Sequence, residues 1–192
     1  MELDKAIKEV HNAKKFSSKK PDWRDIIECI EATRHAPMAG NIFTPRFILI
    51  QDSEKIKRIA SATQQPFIAN CHYLVVMCSE PSKTMTFFGS AGKDYVKSQS
   101  GAAIQNFLLK LTEKKLATTW VKLFVERSIK ETLKIPELIN IEAIFPIGYE
   151  FKKESKKKKL IDMDRILFYD KYNNKRMSQP KLAGMDTTRP WM

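Results

Sequence analysis

Six residues, Ala36-Pro37-Met38-Ala39-Gly40-Asn41, offer a bound ligand a stretch of open backbone. Pro37 cannot continue a helix, and Gly40 and Asn41 tolerate positive φ, so amides in this loop are expected to turn toward a ligand. No GxGxxG or GxxxxGK(S/T) pattern occurs, and the chain has only 6 glycines. A phosphate therefore has to be held by side-chain cations rather than by a glycine-rich nest. No nucleophile–base pair is evident. Cys29, Cys71 and Cys78 lack CxxC spacing and fit buried thiols in a reducing compartment better than a disulfide framework. His11, His35 and His72 form no HxxxH or HExxH pattern, so no metal site is expected.

The loop must be placed by the elements around it. Trp23, Ile26, Ile27 and Ile30 have helical spacing, and Pro21-Asp22 opens that helix with Asp22 as N-cap and Asp25 in its first turn; the helix is expected to run to Ala36. Phe47–Ile50 reads as a buried strand directly after the loop. A first helix covers Leu3–Val10, and Ser53 is expected to cap a third, carrying Ile56, Ile59, Ala60 and Ala62. Tyr73–Cys78 is a second buried strand. Pro81–Gly92, with Phe87 and Phe88, reads as a loop or lid. Ser98–Lys115 is a long helix with almost no polar stripe in its first half, which predicts deep burial. Ala117–Phe124 reads as strand and turn, Arg127–Lys134 as a short helix ended by Pro136, and Ile141–Tyr149 as a third clear strand. Periodicity disappears from Asn173 onward. Taken alone, helix-separated strands favour a parallel α/β sheet.

Composition narrows the function classes. A chain of 192 residues, 43% hydrophobic, is most simply one domain with a real core. No apolar run approaches the ~20 residues needed to span a bilayer, and the acidic start Met1-Glu2-Leu3-Asp4 does not read as a signal peptide. The expected location is the cytoplasm. A net charge of +12 raises nucleic acid as a partner. Yet the cations are scattered, and the one dense run, Lys152 to Lys159, is broken by Glu154 and Ser155. It reads as a solvated face, a phosphate site or a funnel for anionic substrates.

Five segments, taken in chain order, resemble the FMN-dependent nitroreductase family over roughly residues 5 to 172. They are Val10-His11-Asn12-Ala13-Lys14-Lys15-Phe16, the Ala36–Asn41 loop, Gln65-Pro66-Phe67-Ile68-Ala69, Gly101-Ala102-Ala103-Ile104-Gln105-Asn106 and Pro146-Ile147-Gly148-Tyr149. The resemblance implies an α+β fold: a three-layer sandwich whose mixed, mainly antiparallel sheet lies between helices, in an intertwined homodimer. It implies one FMN-binding domain over 1–172 and a C-terminal tail, 173–192, that wraps the partner subunit.

The resemblance also assigns residues. The family's first phosphate motif, typically Arg-x-Ser-x-Arg/Lys, falls on Val10, Asn12 and Lys14, with His11 between them; Val10 has lost a charge. The second motif keeps Pro37, Ala39, Gly40, Asn41 and Phe47 but places Met38 where serine is usual. Gln65 matches a polar cofactor-facing position, and Gln105-Asn106 matches a Gln-Asn pair. Gln99 stands where an acidic residue is common. Backbone at Lys122 and Leu123 falls near the reactive edge of the flavin, with Leu123 in place of a glycine. Gly148-Tyr149 leads to a basic stretch in which Lys157, then Lys158, are the expected phosphate ligands.

The implied activity is an FMN-dependent NAD(P)H oxidoreductase. Hydride passes from NADH or NADPH through flavin N5 to a nitroaromatic, quinone or related small-molecule acceptor, and no catalytic side chain is required. Two other readings stand beside it. One is a flavin storage or sensing protein with weak turnover, which the departures at Val10, Met38 and Leu123 suit. The other is a basic nucleic-acid-binding protein.

Overall fold

The computed structural model describes residues 1–152 and 158–177. The chain divides into two units, Met1–Lys153 and Glu154–Met192. Ten helices and strands build the first: α1 (Leu3–Glu9), α2 (Trp23–Ala32), β1 (Pro45–Ile50), α3 (Ser53–Thr63), β2 (Tyr73–Ser79), α4 (Ser82–Phe88), α5 (Gly92–Glu113), β3 (Ala117–Thr118), α6 (Glu126–Leu133) and β4 (Asn140–Gly148).

The strands form one sheet in the order β1-β2-β4-β3, and all three pairings are antiparallel. Among the described residues the one parallel contact is an isolated bridge between Asn12 and Thr118. The parallel sheet that periodicity favours is therefore absent, because helices separate strands in sequence without fixing their direction.

All seven residues of β2 are buried, since both faces of the sheet are covered. On one face Tyr73, Val75 and Met77 meet Ile26 and Cys29 of α2, the α5 residues Ala103, Ile104, Phe107 and Leu111, and Ala143, Phe145 and Ile147 of β4. On the other, Leu74, Val76 and Cys78 meet Ile56 and Ile59 of α3, Ile129 of α6, and Ile141 and Ile144. Two helical layers thus enclose the sheet, as the three-layer architecture requires. Alternation along β4 breaks once. Met77 pairs with Ala143 and Cys78 with Ile141, so Glu142 is the extra residue of a bulge, and Ile141 and Ile144 reach the same face.

Several local expectations need correction. Asp52, not Ser53, caps α3, accepting from the amides of Glu54 and Lys55. Its carboxylate outcompetes a hydroxyl for two amide donors at once. Pro81–Gly92 is mostly helix, because Thr84 is buried and anchors α4 as a packed turn. The long helix begins at Gly92, where a Cβ would lie 2.9 Å from the Thr84 carbonyl oxygen, so the glycine permits α4 and α5 to touch. Lys134 at φ 56° ends α6 before Pro136 is reached. Helix α2 stops at Ala32 and tightens into a 3-10 turn at Thr33–His35. Of its apolar residues, Ile26 is buried but Trp23 and Ile27 remain 45% and 44% exposed. The strand expected over Ala117–Phe124 is regular only at Ala117–Thr118, with one further bridge at Val121.

The three thiols are free and buried, as expected. Burial pushes Cys29 and Cys71 up to about 12 and Cys78 to about 11, so they are poor nucleophiles at neutral pH. No helix among the described residues is long and apolar enough to cross a membrane.

Gly148, at the end of β4, is a packing residue. A Cβ there would lie 2.9 Å from Cδ1 and 3.1 Å from Cβ of Phe16. Gly148→Ala is expected to displace Phe16 and cost about 1–3 kcal/mol, read as a lower urea midpoint. An unchanged midpoint would mean that Phe16 relaxes freely.

Candidate cofactor site

After α1 the chain runs extended beside β3 and the end of β4. Ala13 N donates to the Thr118 carbonyl at 2.8 Å, and Thr119 Oγ1 donates to the Ala13 carbonyl at 2.5 Å. Ser17 N donates to the Tyr149 carbonyl at 2.8 Å, and Phe151 N to that of Lys15 at 3.1 Å. His11 is spent locally: Nδ1 lies 2.7 Å from the Glu9 carbonyl and Nε2 lies 2.9 Å from Glu150 Oε2.

Asn12 and Lys14 are exposed donors of this segment, as is Lys15. Asn12 Oδ1 accepts from Trp120 N at 3.3 Å, which turns its amide nitrogen away as a donor. The Lys14 ammonium lies 5.9 Å from the Phe67 ring centroid, and among the described residues it has no ion-pair partner. That contact joins the first motif to the Gln65–Phe67 turn. Gln65 is half-buried there, with its amide held by Thr63 Oγ1 at 3.3 Å. Two residues beyond Trp120, Lys122 and Leu123 have backbone amides that donate to no protein group among the described residues. The Leu123 side chain is 77% exposed.

The Ala36–Asn41 loop is built differently from the expectation. Gly40 and Asn41 do take positive φ, 59° and 55°. The amides, however, are largely used within the protein. Ala39 N donates to Gln99 Oε1 at 2.6 Å, Asn41 N to the Met38 carbonyl at 3.2 Å, and Ile42 N to that of Ala39 at 3.1 Å. Gln99, 4% exposed, also donates from Nε2 to Thr44 Oγ1 at 3.1 Å. It thus clamps the loop between α5 and β1. Phe88 lies against Gly40, 3.2 Å from where a Cβ would stand, and is linked edge-on to Phe87 and Tyr95 at 4.8 Å each.

The site residues fall into two groups. His11, Asn12, Lys14, the Gln65–Phe67 turn, Trp120 and Gly148–Glu150 form one set of contacts. Pro37, Met38, Ala39 and Asn41 form the other, with Gln99 and Phe88. Among the described residues no hydrogen bond, ion pair or ring contact joins the two. Val10 and Met38, the positions lacking the motif's arginine and serine, both pack on the core cluster of α2, α5 and β2. Gln105 is exposed, contrary to deep burial of that face of α5, whereas Asn106 donates to the Ala32 carbonyl at 3.4 Å. Lys157 lies outside the described residues, and Lys158 is an exposed residue of the second unit.

Two polar residues carry roles that spacing alone left unassigned. Gln99 shares the stripe of Val96 and Ala103, a polar residue at a buried helical position. Glu142 is a lone carboxylate inside an apolar strand. It is 7% exposed, and it accepts from Ser79 Oγ at 2.6 Å and from Lys122 Nζ at 3.3 Å. Lys122 also donates to the Glu142 carbonyl at 2.7 Å.

The donor set fits a flavin mononucleotide: an unpaired cation and a free amide side chain suit a phosphate, and open backbone amides suit a heteroaromatic ring edge. Buried Thr118 Oγ1 and Ser17 Oγ, which have no hydrogen-bond partner among the described residues, border the same segment.

Comparison with known proteins finds similar folds and sequences among nitroreductases. A model of the Nitroreductase family matches residues 60–149. A protein of Archaeoglobus fulgidus named as an NADH dehydrogenase/NAD(P)H nitroreductase is 25% identical over 139 residues, covering 70% of this chain and 77% of its own. The crystal structure of a nitroreductase family protein from Clostridium novyi NT superposes with a TM-score of 0.73 at 27% identity, covering 91% of this chain and 96% of the other. An FMN-dependent nitroreductase from Clostridium difficile R20291 shares the fold with a TM-score of 0.67 at 19% identity, covering 78% and 88%. With its sandwich, its ordered motifs and these matches, the chain is similar to the nitroreductase family, and residues 60–149 carry the match to the family's own model.

Proposed function

We propose that the chain is an FMN-dependent oxidoreductase that takes hydride from NADH or NADPH and passes it to a nitroaromatic, quinone or related small-molecule acceptor. The observation that carries this reading is the Asn12–Trp120 hydrogen bond. It ties the phosphate-type donors Asn12 and Lys14 to the stretch whose Lys122 and Leu123 amides are open. The names of the Archaeoglobus and Clostridium difficile relatives support the reductant and the cofactor respectively.

When bound, FMN supplies the hydride chemistry. The chain's residues hold and orient it. Lys14 meets the phosphate as a point charge, and Asn12 adds a neutral donor. Lys157 and Lys158 are proposed as further phosphate cations. Gln65 and the exposed Asn41 side chain offer polar groups to the ribityl chain or ring, as does Gln105. The amides of Lys122 and Leu123 are the donors proposed for the reactive edge, where a fixed dipole costs no reorganisation during reaction.

The working unit is proposed to be a homodimer in the cytoplasm. Two subunits would bring the Pro37–Asn41 group to the Lys14 group, which no hydrogen bond, ion pair or ring contact joins among the described residues of one chain. Large exposed apolar residues support this: Leu3 on α1, Trp23 and Ile27 on α2, and in the second unit Leu160 and Tyr172, 81% and 82% exposed. A cavity of about 350 Å³ beside α1 and α5, lined by Leu3, Ala6 and Leu109 together with His35, Lys110 and Glu113, adds to the uncovered surface. Truncation after Tyr172 is expected to weaken the dimer and loosen FMN together, read by light scattering and flavin fluorescence. The residues from 178 on, Trp191 among them, lie outside those described. A truncated chain that stays dimeric with unaltered FMN affinity would leave the tail no part in assembly.

The purified protein is expected to be yellow, with about one FMN per chain, released by heat and identified against FAD by chromatography. NADH or NADPH should bleach it. Recovery of FAD, or failure to take up FMN, overturns the reading. A yellow protein that neither nucleotide bleaches would instead be a flavin store or sensor, the outcome favoured by the core-packed Val10 and Met38.

A further inference from the structure

We propose a second binding site, for a small oxyanion, where the first two turns of α5 face the start of β4. A cavity of about 250 Å³ lies there, lined by Lys93, Val96, Lys97, Asn140, Ile141 and Glu142, with Pro81 at its edge. None of these residues belongs to the flavin-holding groups, so the inference stands apart from the proposed function.

The charge balance of the cavity points to an anion. Lys93 and Lys97 are four residues apart on one helix, a spacing that makes them neighbours and makes like charges repel. Among the described residues neither has an ion-pair or hydrogen-bond partner. The carboxylate in the cavity does not neutralise them. Glu142 Oε1 is taken by Ser79 Oγ and Oε2 by Lys122, which reaches it from the 119–125 segment. The two lysines are therefore left with an unmatched charge beside a buried, already compensated carboxylate.

The cavity is also built rather than incidental. Glu142 is the bulge residue of β4, and a bulge at this point aims its side chain out of the regular alternation. Asn140 Nδ2 reaches Ser79 Oγ only at 3.4 Å, so its amide has donor capacity to spare. Val96 and Ile141, 2% and 5% exposed, form apolar walls, which strengthen charge interactions by excluding water. The volume is below the ~300–1,000 Å³ of sites that enclose drug-sized ligands. It suits orthophosphate, a simple carboxylate, or the anionic head of a larger molecule. Lys93 and Lys97 would bracket the anion and Asn140 would donate to it, while Glu142 stays engaged with Ser79 and Lys122.

The test is a titration of the purified protein with inorganic phosphate at constant ionic strength, followed by backbone and Asn140 side-chain amide shifts in 1H–15N spectra. A saturable shift centred on Asn140, Ile141 and Val96 is expected. A Lys93→Gln/Lys97→Gln double variant should weaken it by about tenfold or more, with an unchanged melting temperature in phosphate-free buffer, since both lysines are exposed. Lys14→Ala should leave it intact. A parallel titration with acetate tells a phosphate from a carboxylate preference, and saturation by either supports the site. Shifts that sodium chloride reproduces, that persist in the double variant, or that vanish only with Lys14→Ala overturn it.

Discussion

Gln99→Leu is expected to cost about 2–5 kcal/mol of stability, because it leaves the Ala39 amide and the buried Thr44 hydroxyl without partners. Leucine nearly keeps the volume, so the loss reports on the hydrogen bonds rather than on a cavity. The effect should extend beyond stability. The Ala36–Asn41 loop is pinned to α5 by that one side chain, and its own 3-10 turn is short. Freed, the loop should exchange its amides faster and hold flavin less well. Gln99→Glu is the informative control. A carboxylate still accepts from Ala39 N and from the Thr44 hydroxyl, so most of the stability should return. Urea denaturation and hydrogen exchange read both variants. A loss below about 0.5 kcal/mol for Gln99→Leu, within the range of ordinary surface changes, would mean that the loop is held by its apolar contacts with Phe88 and the core.

Lys14→Ala is expected to weaken FMN binding by roughly tenfold to hundredfold while leaving riboflavin binding nearly unchanged, since a lost charge-assisted hydrogen bond is worth about 1.5–3 kcal/mol. The comparison isolates the phosphate: the two flavins share ring and ribityl chain. Lys14 is exposed and has no acidic partner among the described residues, so its removal breaks no ion pair. Its ring contact with Phe67 at 5.9 Å is worth little at an exposed site. Lys157→Ala is expected to behave in the same way. Equal losses for FMN and riboflavin would move Lys14 from phosphate binding to support of the fold. Loss of neither would place the phosphate elsewhere.

Much of the fold was legible before any coordinates. The strands at Phe47–Ile50, Tyr73–Cys78 and Ile141–Tyr149 each lie within a residue or two of β1, β2 and β4, because runs of β-branched and apolar residues have few other places to go. The helices begin near their caps for the same local reason, and Asp22 accepts from Arg24 N as its position implies. The ordered motifs likewise pointed to the nitroreductases, to which the chain proved similar. Local patterns fail where a distant partner decides. The direction of the strands was open in the sequence, since pairing is a choice among segments tens of residues apart.

The site divides in the same way. Residue types by themselves excluded a glycine-rich phosphate loop, and the resemblance carried by the ordered motifs pointed to the side chains proposed to serve a flavin: Asn12, Lys14, Asn41, Gln65 and Gln105. Only the tertiary structure decided how they are used. It spends His11 on Glu150, gives Gly148 to the ring of Phe16, and closes the Ala39 amide with Gln99, 60 residues away. It also turns Glu142 from a strand residue into the buried partner of Ser79 and Lys122, through a bulge that no pattern in β4 announces. The physical reason is common to all four. A buried donor, acceptor or missing Cβ acquires its role from whichever group packs against it, and that group is chosen by the packing of layers rather than by neighbours in the chain.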